Sequence, residues 1–156
     1  MKFGIAVPNF GAYAKREQIL EISALAEEFR YDSLWVSDHV VIPASHKVFG
    51  DTFHDPLVTL AYIAAGTDRI ELGRSVIILP YRNPLVLGKM VSTLDTLSRG
   101  RVILGVGTGW LEDEFEALGL EGTVERAYAD AVCFFGEGHQ VRVGRPYGRV
   151  ARRELR

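Results

Sequence analysis

Two short stretches of this chain hold residue types suited to chemistry. Asp38-His39 follows the apolar run Ser33-Leu34-Trp35-Val36, and Gly105-Val106-Gly107-Thr108-Gly109-Trp110 follows Arg101-Val102-Ile103-Leu104. An imidazole beside a carboxylate can shuttle protons near neutral pH or hydrogen-bond a cofactor ring. The same pair is also read as structural, with Asp38 capping the next loop and His39 buried and satisfied. Glycines after a strand permit positive φ and let backbone N–H groups approach a ligand closely. They equally make a tight strand-to-helix turn with no ligand. The dinucleotide fingerprint needs a further glycine three positions after the second. Counted from Gly105 and Gly107 that position is Trp110, and counted from Gly107 and Gly109 it is Glu112, so an NAD site of that type is disfavoured.

Further candidates are weaker. Gly73 in the run Gly73-Arg74-Ser75-Val76 marks a bulge or a close backbone approach inside a strand. His39, His46 and His54 share a stretch, but their spacing matches no metal-ligand signature, and surface histidines are the better reading of the last two. No metal site is expected. Phe10, Tyr13, Trp35, Tyr81 and Trp110 fall mostly near strand ends, where they line an apolar pocket or belong to the core.

The elements that must position these residues follow from periodicity. Short apolar runs at 2–7, 33–36, 70–79 and 101–106 read as strands. Residues 15–30 carry Ile19, Ile22, Leu25, Ala26 and Phe29 at helical spacing. Asp55-Pro56 and Asn83-Pro84 each open a helix, with the Asp as N-cap and the Pro at the first helical position in the former. The first of these buries Leu57, Leu60, Ala61 and Ala64 and ends at Gly66. The second buries Leu87, Met90, Val91, Leu94 and Leu97, with Gly100 at the left-handed position after it. Leu111–Leu118 reads as a short helix with Glu112, Asp113 and Glu114 in its first turn, where acids suit the helix dipole. Residues 40–54 form a loop too long for a plain connector. Strict βα alternation implies a parallel sheet with helices outside it, either an open doubly wound sheet or part of a (β/α)8 barrel.

Composition excludes little but is consistent. With 156 residues there is room for about one domain. A formal net charge of -2 argues against nucleic acid or an anionic membrane as the main partner. Cys133 is the sole cysteine, which rules out an intramolecular disulfide and fits a reducing cytoplasm. No apolar run approaches the roughly 20 residues needed to cross a bilayer. The first residues enter an apolar strand directly, without the layout of a signal peptide. After about Thr123 the alternation fails. That tail is Arg- and Gly-rich, and is expected to be a loop with a β-hairpin over Gln140–Val143 and the following Gly144–Gly148 segment, or disordered.

Five segments together resemble the N-terminal half of the luciferase-like monooxygenase superfamily, in particular the class that uses the deazaflavin coenzyme F420. They are residues 2–11, 31–40, 67–73, Arg82-Asn83-Pro84, and Leu97-Ser98-Arg99-Gly100-Arg101 through Trp110. The resemblance implies a partial (β/α)8 barrel of about four βα units over residues 1–122, with residues 123–156 a divergent tail. It implies an oxidoreductase or monooxygenase that moves a hydride between F420, or alternatively FMN, and a small organic substrate. Asp38 and His39 would sit beside the coenzyme ring, His39 handling a proton. Ser75-Val76 matches the place where such enzymes often carry a non-prolyl cis peptide behind the ring. Gly107, Thr108 and Gly109 would contact the coenzyme, and Asn9, Phe10 and Trp110 would shape the substrate pocket. Some relatives have an acid where Trp110 stands, so acid catalysis is not expected from that position.

A whole barrel takes about 250 residues. At 156 residues the chain is expected to be a truncated or frame-shifted product. Its open edges would allow a homodimer. The alternative function is a non-catalytic remnant that folds partly or only as an oligomer.

Overall fold

The computed structural model describes residues 1–43 and 46–121, and the backbone of the strands at 124–128, 131–135, 139–143 and 147–150. Four βα units succeed one another: β1 (Gly4–Ala6) and α1 (Arg16–Glu28), β2 (Ser33–Val36) and α2 (Pro56–Ala65), β3 (Glu71–Arg74) with β4 (Ile77–Ile78) and α3 (Pro84–Leu97), β5 (Val102–Ile103) with β6 (Val106–Gly107) and α4 (Glu112–Ala117). The main sheet is parallel in the order β1-β2-β3-β5, and β4 pairs with β6, also parallel. This is the expected parallel α/β architecture.

Register sorts the side chains into two faces. Ile5, Leu34, Leu72 and Val102 stand in one row across the sheet. They pack against the helices in a core with Ile19, Ala26, Leu57, Leu60, Ile63, Leu87 and Leu94. The neighbouring row is Ala6, Trp35, Gly73 and Ile103, which pleating turns to the opposite face. Trp35 lies flat across that face. A Cβ added at Gly73 would come within 2.6 Å of its ring, and one at Gly4 within 2.4 Å of its Nε1. Gly73 is therefore a close-approach glycine, as its place in a strand implies.

The helix caps follow the sequence. Asp55 Oδ1 accepts from the N–H groups of Leu57 and Val58, and Asn83 Oδ1 from those of Leu85 and Val86. Beyond α3 the Gly100 N–H returns to the Asp95 carbonyl with φ at 79°. Burial departs from the expected stripes. Leu25 of α1, Phe29 just after it, and Met90 and Leu97 of α3 are exposed. Among the described residues α2 packs against both α1 and α3, while the apolar stripes of these flanking helices are half covered.

At the other end of the strands the connections are held by charged side chains. The Glu27 carboxylate accepts from the N–H groups of Asp68, Arg69 and Ile70. Arg101 donates to the carbonyls of Ala64, Thr67, Ile70 and Ser98 and to Thr67 Oγ1. These contacts tie α2, β3 and the end of α3 together.

In the tail, β7 (Val124–Tyr128) pairs antiparallel with β10 (Tyr147–Val150), and β8 (Ala131–Phe135) with β9 (His139–Val143). The expected strand at Gln140–Val143 is present, but it pairs with β8 rather than with the segment after Gly144. The turn residues Gly144, Arg145 and Pro146 lie outside the described residues. Among the described residues no helix is long and apolar enough to cross a membrane.

Candidate active site

The C-terminal ends of the strands bring the sequence-selected residues to one end of the sheet, where parallel α/β folds place their ligands. Asn9, after β1, is fully buried, and its amide is spent as a clamp. Nδ2 donates to the carbonyls of Ser37 (2.8 Å) and His54 (2.9 Å), and Oδ1 accepts from the Ser37 N–H. It joins the ends of β1 and β2 to the long loop.

Asp38 follows β2 and is sealed inside the protein. Both carboxylate oxygens accept from the Arg82 guanidinium, and Oδ2 also accepts from the Ile78 N–H at 2.8 Å. Its side chain is wholly inaccessible. Asp38 anchors β2 to β4 and to the turn after β4. Arg82 reaches on to Asp55 Oδ2 at 3.2 Å. Burial opposes its charge, but the hydrogen bonds and charges of Asp38 and Asp55 outweigh burial and raise its pKa. Arg74 lies beside this cluster, fully buried, with no hydrogen-bond partner for its guanidinium among the described residues. Burial and the Arg82 charge lower its pKa against the pull of Asp38 and Asp55.

His39, the next residue, points elsewhere. Its Nδ1 lies 2.7 Å from Glu114 Oε2, and both side chains are buried. Glu114 Oε2 also accepts from the Tyr81 hydroxyl at 2.9 Å, and Oε1 accepts from the backbone N–H groups of Val40 and Val41. Burial alone would push the Glu114 carboxyl up. The hydrogen bond from His39, the two backbone donors and the His39 charge overcome that and hold it below the usual range. Burial, then the charge and hydrogen bond of Glu114, push the Tyr81 phenol far above its ordinary value, so it stays protonated as a donor.

An aromatic wall surrounds the imidazole. Phe49, Phe53 and Trp110 have ring centroids 5.0, 5.2 and 6.1 Å from that of His39. Phe10 stacks on Phe53 at 5.1 Å with the rings nearly parallel. The long loop is folded onto the strand ends by the bonds from Gly11 N–H to the Thr52 carbonyl and from His54 N–H to the Asn9 carbonyl. His54 itself is exposed, with Nε2 2.7 Å from the Ala14 carbonyl, and it serves as a loop tie. His46 stands near the Trp110 ring. Among the described residues no group of His, Cys, Asp or Glu is arranged to hold a metal.

The break between β3 and β4 forms the floor. The Ser75-Val76 peptide is cis, Ser75 is exposed, and Val76 is half-buried. This segment presses against the fourth strand, whose glycines are required there. A Cβ at Gly105 would stand 2.1 Å from the Arg74 carbonyl oxygen, and one at Gly107 would stand 2.5 Å from Val76 Cγ2. Gly109 has φ at 79° and sits against Ile78 and the Phe115 ring. Thr108 is half-buried between them.

Glu114, Phe49 and Phe53 were not picked out as site residues from the sequence, and Tyr81 was read only as an aromatic near a strand end. One signal for Glu114 was available. It shares a helical stripe with Leu111, Phe115 and Leu118, so an acid occupies the buried face of a short helix. The two phenylalanines lie in a loop without periodicity, and no sequence pattern marks them.

Successive parallel βα units place an imidazole–carboxylate pair, an aromatic wall and a run of close-packed glycines at their strand ends, the arrangement of the parallel α/β class. The family described as luciferase-like monooxygenase matches residues 1–132, and the chain belongs to it. The chain is 42% identical over 106 residues to the F420-dependent glucose-6-phosphate dehydrogenase of Nocardia farcinica, a match covering 67% of this chain and 30% of that relative. The monooxygenase RslO1 from Streptomyces bottropensis superposes with a TM-score of 0.67 at 27% identity, over 91% of this chain and 47% of that one. The coenzyme F420-dependent tetrahydromethanopterin reductase from Methanopyrus kandleri gives 0.58 at 27% identity, over 76% and 30%. The chain therefore spans less than half the length of these relatives. Monooxygenases and F420-dependent oxidoreductases both stand among them.

Proposed function

We propose that the chain forms one wall of a deazaflavin or flavin site and takes part in hydride transfer between that coenzyme and a small organic substrate. The observation that carries this reading is His39. Its ring is held through Nδ1 by Glu114 and faced by Trp110, and the glycine run leading to Trp110 rests on Val76, next to the exposed Ser75. The residues present suit the flat ring of such a coenzyme, since Val76 and Trp110 offer apolar surface and Ser75 an exposed polar edge. They do not suit its phosphates: the neighbouring cations Arg74 and Arg82 face inward, and Arg82 is already bound by Asp38 and Asp55.

When bound, an F420 or FMN ring supplies the hydride carrier. His39 holds or passes a proton at Nε2, which has no hydrogen-bond partner among the described residues. Phe49, Phe53 and Trp110 exclude water around it, and Phe10 backs them. F420 is the first choice, supported by the 42% identical relative, and FMN is the alternative.

Fluorescence titration of the purified chain with each coenzyme tests the reading. Saturable binding of one of them is expected, weakened by His39→Ala. A flat response to both would overturn it. That result would favour a second reading, a chain that binds no coenzyme by itself, for which the sheet with open edges at β1 and β5 argues.

A further inference from the structure

We infer that Glu114 is a positioning residue that keeps the proton of the neutral His39 ring on Nδ1 and so leaves the Nε2 lone pair for the pocket. Only the use of that lone pair rests on the proposed coenzyme site. The tautomer itself is a statement about the chain alone.

The argument is one of donors and acceptors. Glu114 collects four hydrogen bonds, from His39 Nδ1, the Tyr81 hydroxyl and the N–H groups of Val40 and Val41. Three of these partners can only donate here: two are backbone amides, and the phenol has a hydrogen to place and a carboxylate to receive it. A carboxylate surrounded in this way is ionised and has no proton to give, so Nδ1 must supply the hydrogen of the fourth bond. An isolated neutral imidazole prefers its proton on Nε2, so the carboxylate reverses the intrinsic preference. Among the described residues no other charged side chain bonds the ring. Asp38, adjacent in sequence, is fully engaged by Arg82 and Ile78. The rings of Phe49, Phe53 and Trp110 stand around the imidazole. The same carboxylate fixes the first two residues of the long loop, so ring orientation and loop entry are set by one side chain.

The isosteric amide makes the inference specific. In Glu114→Gln the amide oxygen is required by the Val40 and Val41 N–H groups, which leaves its NH2 toward His39. Nδ1 must then accept, and the proton moves to Nε2. Two-bond nitrogen–proton correlation spectra of the full chain, labelled with nitrogen-15 at histidine and recorded at mildly basic pH without coenzyme, read this directly. His39→Gln assigns the signal. The wild type is expected to show the Nδ1–H pattern for His39, Glu114→Gln the Nε2–H pattern, and Tyr81→Phe the wild-type pattern. An Nε2–H pattern in the wild type overturns the inference. So does an unchanged pattern in a folded Glu114→Gln. If Glu114→Gln does not fold, the wild type and Tyr81→Phe still decide. Because no coenzyme is present, failure here is separate from failure of the binding titration.

Discussion

Glu114 shows how one acid can be inconspicuous in sequence and central in space. In the first turn of α4 it reads as one of three helix-dipole acids, yet Glu112 and Asp113 face solvent while Glu114 is wholly buried. Its depressed pKa links the site to acid stability. A carboxyl held below its ordinary value stabilises the fold fully above the unfolded value, here about 4.5, and that contribution is lost as pH falls through the folded value. Glu27, held down by the Asp68, Ile70 and Arg69 N–H groups against burial, acts with the same sign. The urea midpoint is therefore expected to fall as pH drops below about 4.5, and to fall less in Glu114→Gln, where the Glu114 part is absent. Equal acid sensitivity in the two proteins would contradict this. The structure divides the Asp38-His39 pair. Asp38 turns to Arg82 and His39 to Glu114, and spacing alone cannot reveal that adjacent side chains have separate partners.

At the scale of elements, local rules were legible because they are local. Asp55-Pro56, Asn83-Pro84 and Gly100 each act within one turn of their own helix. The breaks within the third and fourth strands were less so, because they depend on each other: the Ser75-Val76 segment fits only beside bare glycines one strand away. Gly105→Ala would drive a Cβ into the backbone carbonyl of Arg74, which side-chain rotation cannot relieve. It is expected to cost about 2–3 kcal/mol in a denaturation series. Gly88→Ala, on the exposed side of α3 with nothing within 4 Å of the new Cβ, is the matched control and should stabilise by about 0.5–1 kcal/mol. If both variants behave alike, the close-approach account of the glycine turn is wrong.

For the whole molecule, the sheet leaves β1 and β5 as edges and the stripes of α1 and α3 half covered. Unpaired edges and apolar faces favour association. The chain expressed by itself is expected to sediment well above its 17.3 kDa monomer mass at about 50 μM and to approach it on dilution. A monomer throughout that range would show that the edges are protected. The amino-acid sequence by itself determined the alternation of strands and helices, the helix ends and the strand ends at which the candidate site residues gather. Those depend on periodicity, caps and breakers acting over a few residues. Only the tertiary structure decided that Asn9 and Asp38 are clamps, that Phe49 and Phe53 enclose the imidazole, and that Glu114, 75 residues from His39, holds its Nδ1. Those choices depend on which side chains meet across the sheet, and distance along the chain carries no trace of them.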